Sequence, residues 1–189
     1  MTTELSRTLR ADAEENRTRM VVAARALFAE SGLDVGMREI ARRAGVGAAT
    51  LYRRFPTRND LLSEVFALEV EACRSIVADA CAHSDAWRGF EQAVRQLILL
   101  NVRHRGFIDA YMAVERTGDV FAEHRRLLLE MIDELGRRAK AQGMLRSDFT
   151  VDDLVIVLLA GRGLVSVAAE RRPAAGRRFA TLAIDAFRR

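Results

Sequence analysis

Between residues 38 and 58 the chain places six arginines, Arg38, Arg42, Arg43, Arg53, Arg54 and Arg58, against a single acid, Glu39. This local excess of +5 exceeds the formal +4 of the entire 189-residue chain, so the remainder is close to neutral. Guanidinium groups at this density neutralise phosphates and release counterions, which gives binding to a polyanion that depends on salt and not on sequence. Their planar forks also bond a phosphate or a guanine edge through two hydrogen bonds. Among them stand the hydroxyls of Thr50 and Tyr52, and the small Ala48 and Ala49 allow close approach to another surface. Lys140 is the only lysine among 30 basic residues, so arginine usage is chain-wide and the spacing carries more information than the residue type.

Side chains of this kind need a rigid carrier, and the surrounding residues supply one. Met37, Ile40, Ala41 and Ala44 recur at the spacing of one helical face, while Arg38, Arg42 and Arg43 point elsewhere. Gly45 can take the left-handed conformation that ends a helix, and Val46 is an apolar plug at the reversal. The pattern predicts a second helix over Ala48 to Phe55, with Leu51 and Phe55 turned inward and Thr50, Tyr52, Arg53 and Arg54 left to project. Pro56 disfavours helical geometry at Phe55, and Thr57 caps the next helix. Two short helices around a tight turn form a helix-turn-helix, whose second helix lies in the major groove with its N-terminal residues near base edges. A helix from about Ala13 to Glu30, striped by Met20, Ala23, Ala24, Leu27 and Phe28, props up this unit. Residues 1–12, with Arg7 and Arg10, are expected as a flexible arm.

The run RTRMVVAARALFAESGLD, then IARRAGV, then TLYRRFPTRNDLL, in this order and spacing, resembles the DNA-binding domain of the TetR family of bacterial transcriptional regulators across residues 17–66. The resemblance implies that Ala48 and Thr50 approach bases or the adjoining backbone and that the Tyr52 hydroxyl meets a phosphate. It also implies that Arg58 takes the place of a phosphate-binding lysine, with Arg53 and Arg54 as further contacts. Gly36 stands where the family usually has a Ser or Thr cap, Gly47 and Ala49 replace the common Ser and Gly, and Arg54 replaces a frequent His or Tyr. Those departures within the reading helix bear on which DNA sequence is preferred, not on binding itself.

The rest of the chain reads as helix throughout, with stretches near 58–83, 85–102, 106–116, 119–142, 151–169 and 173–187 and no alternation of the kind a strand requires. The expected fold is therefore all-α: a three-helix DNA-binding domain over residues 13–57 and a helical effector-binding and dimerisation domain over 58–189. The helix from Val151 is apolar around most of its circumference and must be covered on several sides. Leu154, Leu158, Gly161 and Val165, with Phe179, Leu182, Ala183 and Ala186 of the last helix, are expected to pack against their copies in a homodimer, as the resemblance also implies. The alternative is their burial within one subunit. The resemblance further implies a pocket for a small effector; Trp87, Phe107, Tyr111 and Met112 are its candidate walls, and Asn101, Glu115 and Arg162 its candidate polar anchors.

Several function classes fall away. No GxSxG elbow or P-loop occurs, and Gly161-Arg-Gly163 lacks both a third glycine and a preceding strand, so an enzyme is not expected. The longest apolar stretch, Leu154 to Gly161, is far short of the roughly 18 residues that span a bilayer, and the N-terminus has no apolar signal region, which suggests a cytoplasmic protein. Cys73 and Cys81 would lie roughly 12 Å apart along one helix, too far for a mutual disulfide. With His83 they raise a metal- or redox-responsive alternative, but no ligand spacing supports a metal, and no cofactor is expected. A helical interaction protein without DNA binding is the other alternative. The expected partners are double-stranded DNA, a small-molecule effector and a second copy of the chain, and its mode of action repression of a palindromic operator relieved by that effector.

Overall fold

A computed structural model describes residues 2–104, 106–112 and 121–189, with side chains from residue 13 onward. Its helices are α1 (Thr2–Ser31), α2 (Met37–Arg43), α3 (Ala48–Arg54), α4 (Arg58–Ala82), α5 (Ala86–Arg103), α6 (Phe107–Tyr111), α7 (Ala122–Ala141), α8 (Val151–Ala160) and α9 (Arg172–Phe187). A single antiparallel bridge, Leu145 to Arg188, is the extended pairing among the described residues. The all-α expectation holds.

The chain forms two compact units, Met1–Ala67 and Leu68–Arg189. The division falls inside α4, whose Leu61, Val65 and Phe66 are buried. Phe66 stacks on Phe28 of α1 with ring centroids 6.2 Å apart. Arg17 is paired with Glu64, and Arg25 donates to the Val65 carbonyl. Helix α1 starts at Thr2, ahead of the Ala13 start suggested by its apolar stripe and in place of the expected arm. Residues 2–12 contain neither glycine nor proline, so nothing local breaks the helix there.

In the second unit α5 packs against α7, α8 and α9. Its buried face includes Phe90, Val94, Leu97 and Ile98. Phe90, Phe149 and Phe187 meet edge to face, with centroids 5.1 to 6.0 Å apart. Asp85 caps α5 by accepting the Arg88 amide at 3.1 Å. A reciprocal Thr150–Asp153 box caps α8, and the Thr150 amide, together with Arg146, holds the Asp153 carboxyl below the usual carboxylate range. The close approach of α4 and α5 needs a glycine: a Cβ on Gly89 would stand 2.3 Å from the Ala80 carbonyl oxygen.

Two expectations change here. The helix from Val151 was expected to reach residue 169, but it ends at Ala160 and tightens into a 3-10 segment over Gly161–Ser166, where two glycines weaken the α-helical preference. Of the helix expected over 106–116, residues 106–112 are described and Phe107–Tyr111 are helical; of the one expected from 119, the described part begins at Phe121 and its helix at Ala122.

Candidate nucleic-acid interface

The turn between α2 and α3 is built as its sequence suggests. Ala44 closes α2, Gly45 follows at φ +67°, and the Val46 amide returns to the Ala41 carbonyl at 3.0 Å while the Gly45 amide reaches the Arg42 carbonyl at 3.2 Å. This is a Schellman termination, which satisfies carbonyls that the end of a helix leaves open. Helix α3 is anchored by Leu51, with no measurable exposure, and by Phe55 at its C-cap. Pro56 then stops it, and Thr57 starts α4 through a reciprocal box with Asp60: the Asp60 amide donates to the Thr57 hydroxyl at 3.1 Å and the Thr57 amide to the Asp60 carboxylate at 2.8 Å. Neither α2 nor α3 has a side-chain cap at its start, in keeping with Gly36 and Gly47 at those positions.

With Leu51 and Phe55 fixed inside, the remaining positions of α3 face out. Ala49, Tyr52, Arg53 and Arg54 are exposed, and Ala48 and Thr50 are half-buried. Arg38 on α2 is exposed too. The six arginines differ in how they are engaged. Arg43 pairs with Glu30 at 3.1 Å and Arg42 approaches Glu39 at 3.7 Å. Arg38, Arg53 and Arg54 have no acidic partner among the described residues. Unpaired, solvated guanidiniums can bind a polyanion without first breaking an ion pair.

Arg58 departs from expectation. Its Nη1 donates to the Val35 carbonyl at 2.6 Å, and its guanidinium lies over the Phe28 ring at 5.4 Å. It is half-buried and ties the start of α4 to α1 and to the segment before α2. The basic count in the sequence could not separate this inward arginine from its outward neighbours, because the separation depends on which carbonyl the long side chain reaches.

The second unit contains a cavity of about 40 Å³ with an open mouth, bounded by α4, α5, α6, α7 and α8. Asn101, Phe107, Tyr111 and Met112 line it as expected. Trp87 does not: it is 4% exposed, stacks on Phe90 at 5.9 Å and carries Arg188 over its ring at 5.4 Å, so it is a core residue. Arg162 is exposed and bonded to Asp109 at 2.8 Å, outside the wall, and Glu115 lies outside the described residues. The wall also holds Cys73 and Arg125, neither of which the aromatic pattern of the sequence indicated. Burial pushes the Cys73 thiol up to about 12, so it stays protonated. Cys81, half-buried, is likewise a free thiol. Among the described residues no cluster of metal-binding side chains forms, and no helix is long and apolar enough to cross a membrane.

The proposed self-association face also changes. Leu154 and Leu158 line the cavity and are buried, as are Gly161 and Ala183, so they face their own subunit. Val165 and Phe179 are half-buried. Leu182 and Ala186 are exposed, as is Ile156 of α8, which the sequence reading passed over. Periodicity cannot tell which side of an all-round apolar helix faces inward and which faces outward.

Comparison with known proteins agrees with this geometry. Residues 21–65 match the model of bacterial regulatory proteins of the tetR family, and residues 73–189 match that of the C-terminal domain of SbtR-like transcriptional regulators. An HTH-type transcriptional regulator of Staphylococcus aureus (strain USA300) is 39% identical over 64 residues, 33% of this chain and 35% of that protein's length. The match thus spans about a third of that curated relative. The crystal structure of a TetR transcriptional regulator from Streptomyces coelicolor is 31% identical, covers 91% of this chain and 98% of that one, and has a TM-score of 0.54. A second structure in that family from Streptomyces coelicolor A3, 18% identical over 90% of this chain and 91% of that one, shares the fold with a TM-score of 0.70.

Proposed function

The chain belongs to the TetR family and is a DNA-binding transcriptional regulator, and from that premise we propose that it is a homodimeric repressor which leaves a palindromic operator when a small molecule fills the cavity of the second unit. The observation that carries this reading is the outward face of α3, where Tyr52, Arg53 and Arg54 project free of ion pairs from a helix anchored by Leu51 and Phe55. Ala48 and Ala49 let the start of that helix approach base edges, with Thr50 beside them; Tyr52, Arg38, Arg53 and Arg54 meet phosphates or bases. Arg58 serves as a brace for this face.

Two copies related by a two-fold axis would match half-sites about 34 Å apart or a multiple of it. The exposed apolar Ile156 and Leu182, at 63% and 50% exposure, support an interface along α8 and α9. A dimer seated on a promoter blocks polymerase without further machinery. Effector control follows if the filled cavity favours a conformation whose reading heads no longer fit the half-site spacing.

The test is selection of genomic fragments by the purified full chain, followed by anisotropy titration of the enriched fragment across a range of salt. Selective binding with a steep salt dependence is expected. Equal affinity for enriched and scrambled fragments at every salt concentration would reject the operator reading.

A further inference from the structure

The cavity wall is largely apolar, and among its polar groups Asn101 has a defined polarity. Asn101 is 6% exposed and lies on α5. Its Nδ2 donates to the Leu158 carbonyl at 2.7 Å, near the end of α8, where the helix tightens into its 3-10 segment. A carbonyl only accepts, so the amide nitrogen must face it, and the orientation of the side chain is fixed by chemistry. Asn101 Oδ1 is then left with no hydrogen-bond partner among the described residues, beside a cavity that Asn101 lines.

The other polar groups of the wall are engaged. The Tyr111 hydroxyl is bonded to His124 Nδ1 at 2.8 Å, Arg125 donates to the Tyr111 carbonyl, and Cys73 remains a neutral thiol. An accessible acceptor in largely apolar surroundings gains from any donor that reaches it.

We propose that the effector is an uncharged, largely apolar molecule with one hydrogen-bond donor, a hydroxyl or N–H group, which it gives to Asn101 Oδ1. This rests on the reading of the cavity as the effector site. A ligand offering only acceptors would set lone pair against lone pair at Oδ1. A carboxylate would do the same, and would also lose its hydration for a wall whose guanidinium is already bonded to Tyr111.

Three matched probes, 4-ethylphenol, 4-ethylanisole and 4-ethylbenzoate, titrated into the full chain by calorimetry without DNA, test it. The phenol is expected to bind about tenfold or more tightly than the ether, the worth of one buried hydrogen bond. The benzoate is expected to bind more weakly than the phenol. Asn101→Ala should erase the difference between phenol and ether, and Met112→Trp, which fills the cavity, should abolish binding of both. Equal affinities of phenol and ether in the unaltered protein, tighter binding of the benzoate, or no binding of any probe would overturn the proposal, and none of these readings requires a variant to fold. Release of bound DNA by the phenol is measured separately; tight, donor-dependent binding without release would refute the effector role of the cavity and leave its chemistry standing.

Discussion

The six arginines near the reading helix divide into those that face solvent and one that faces in, and the division has opposite experimental signatures. Arg53→Ala or Arg54→Ala is expected to lower the slope of log affinity against log salt by about one each, with the melting temperature unchanged. Arg58→Ala is expected to lower the melting temperature and leave the slope as it was, because its guanidinium serves the Val35 carbonyl and the Phe28 ring. An unchanged melting temperature for Arg58→Ala would return that residue to the phosphate contacts. A second residue-scale prediction concerns pH. Burial, with Arg74 nearby, holds the His124 imidazole below its ordinary value, while Glu71 acts in the opposite sense. A depressed histidine favours the neutral ring in the folded state, so its contribution is complete above the unfolded value of about 6.5 and is lost as pH falls through the lower folded value. Melting temperatures between pH 7 and pH 5 should therefore fall more steeply in the parent than in His124→Gln; parallel curves would exclude this contribution. The inward turn of Arg58 was not legible in the sequence, whereas Leu51, Phe55 and the Thr57 cap were, since their roles follow from spacing and turn chemistry alone.

At the scale of elements, local punctuation was the most legible part of the chain. Gly45, Pro56 and Thr57 all mark helix ends that the structure keeps, because each acts through its own backbone or through a partner within three residues. The expected extent of α8 ran past Gly161 and Gly163, which weaken the α-helical preference locally, and Gly161 also has a packing role that spacing does not reveal. A Cβ there would lie 3.4 Å from both Asn101 Nδ2 and the Phe179 ring. Gly89 presents the same principle in a stronger form: nothing near it in sequence demands a glycine, yet the Ala80 carbonyl fills the space of a side chain. Gly89→Ala is expected to destabilise the chain by about 1–3 kcal/mol, the range of an overpacked interior, as read from urea denaturation. A stability equal to the parent's would show that α4 and α5 can separate without cost.

For the whole molecule, fold class was readable because every long segment carries helical period and the apolar content suffices for a core. Which apolar residues belong to that core was less so. Leu154 and Leu158 turned out to wall a cavity, while Ile156, between them, faces out. The interface prediction therefore moves to the exposed pair. Leu182→Glu is expected to weaken self-association by roughly tenfold or more, since it places a charge on a face meant to be desolvated. Sedimentation of parent and variant as the same species would remove α9 from the interface, and a parent that is monomeric at working concentration would end the dimer proposal.

Arginine's near-monopoly of the basic positions has a regulatory side. Guanidiniums keep their proton at any physiological pH, and methylation leaves their charge in place. The solitary lysine, Lys140, sits on α7 with its ammonium 2.6 Å from the Phe149 carbonyl oxygen, well away in sequence from the reading helix. Acylating enzymes that silence cationic surfaces by capping lysine amines thus find no lysine near α3 to cap. Capping of lysines therefore cannot tune the attraction of this helix for nucleic acid, and release by a change of shape needs no such chemistry.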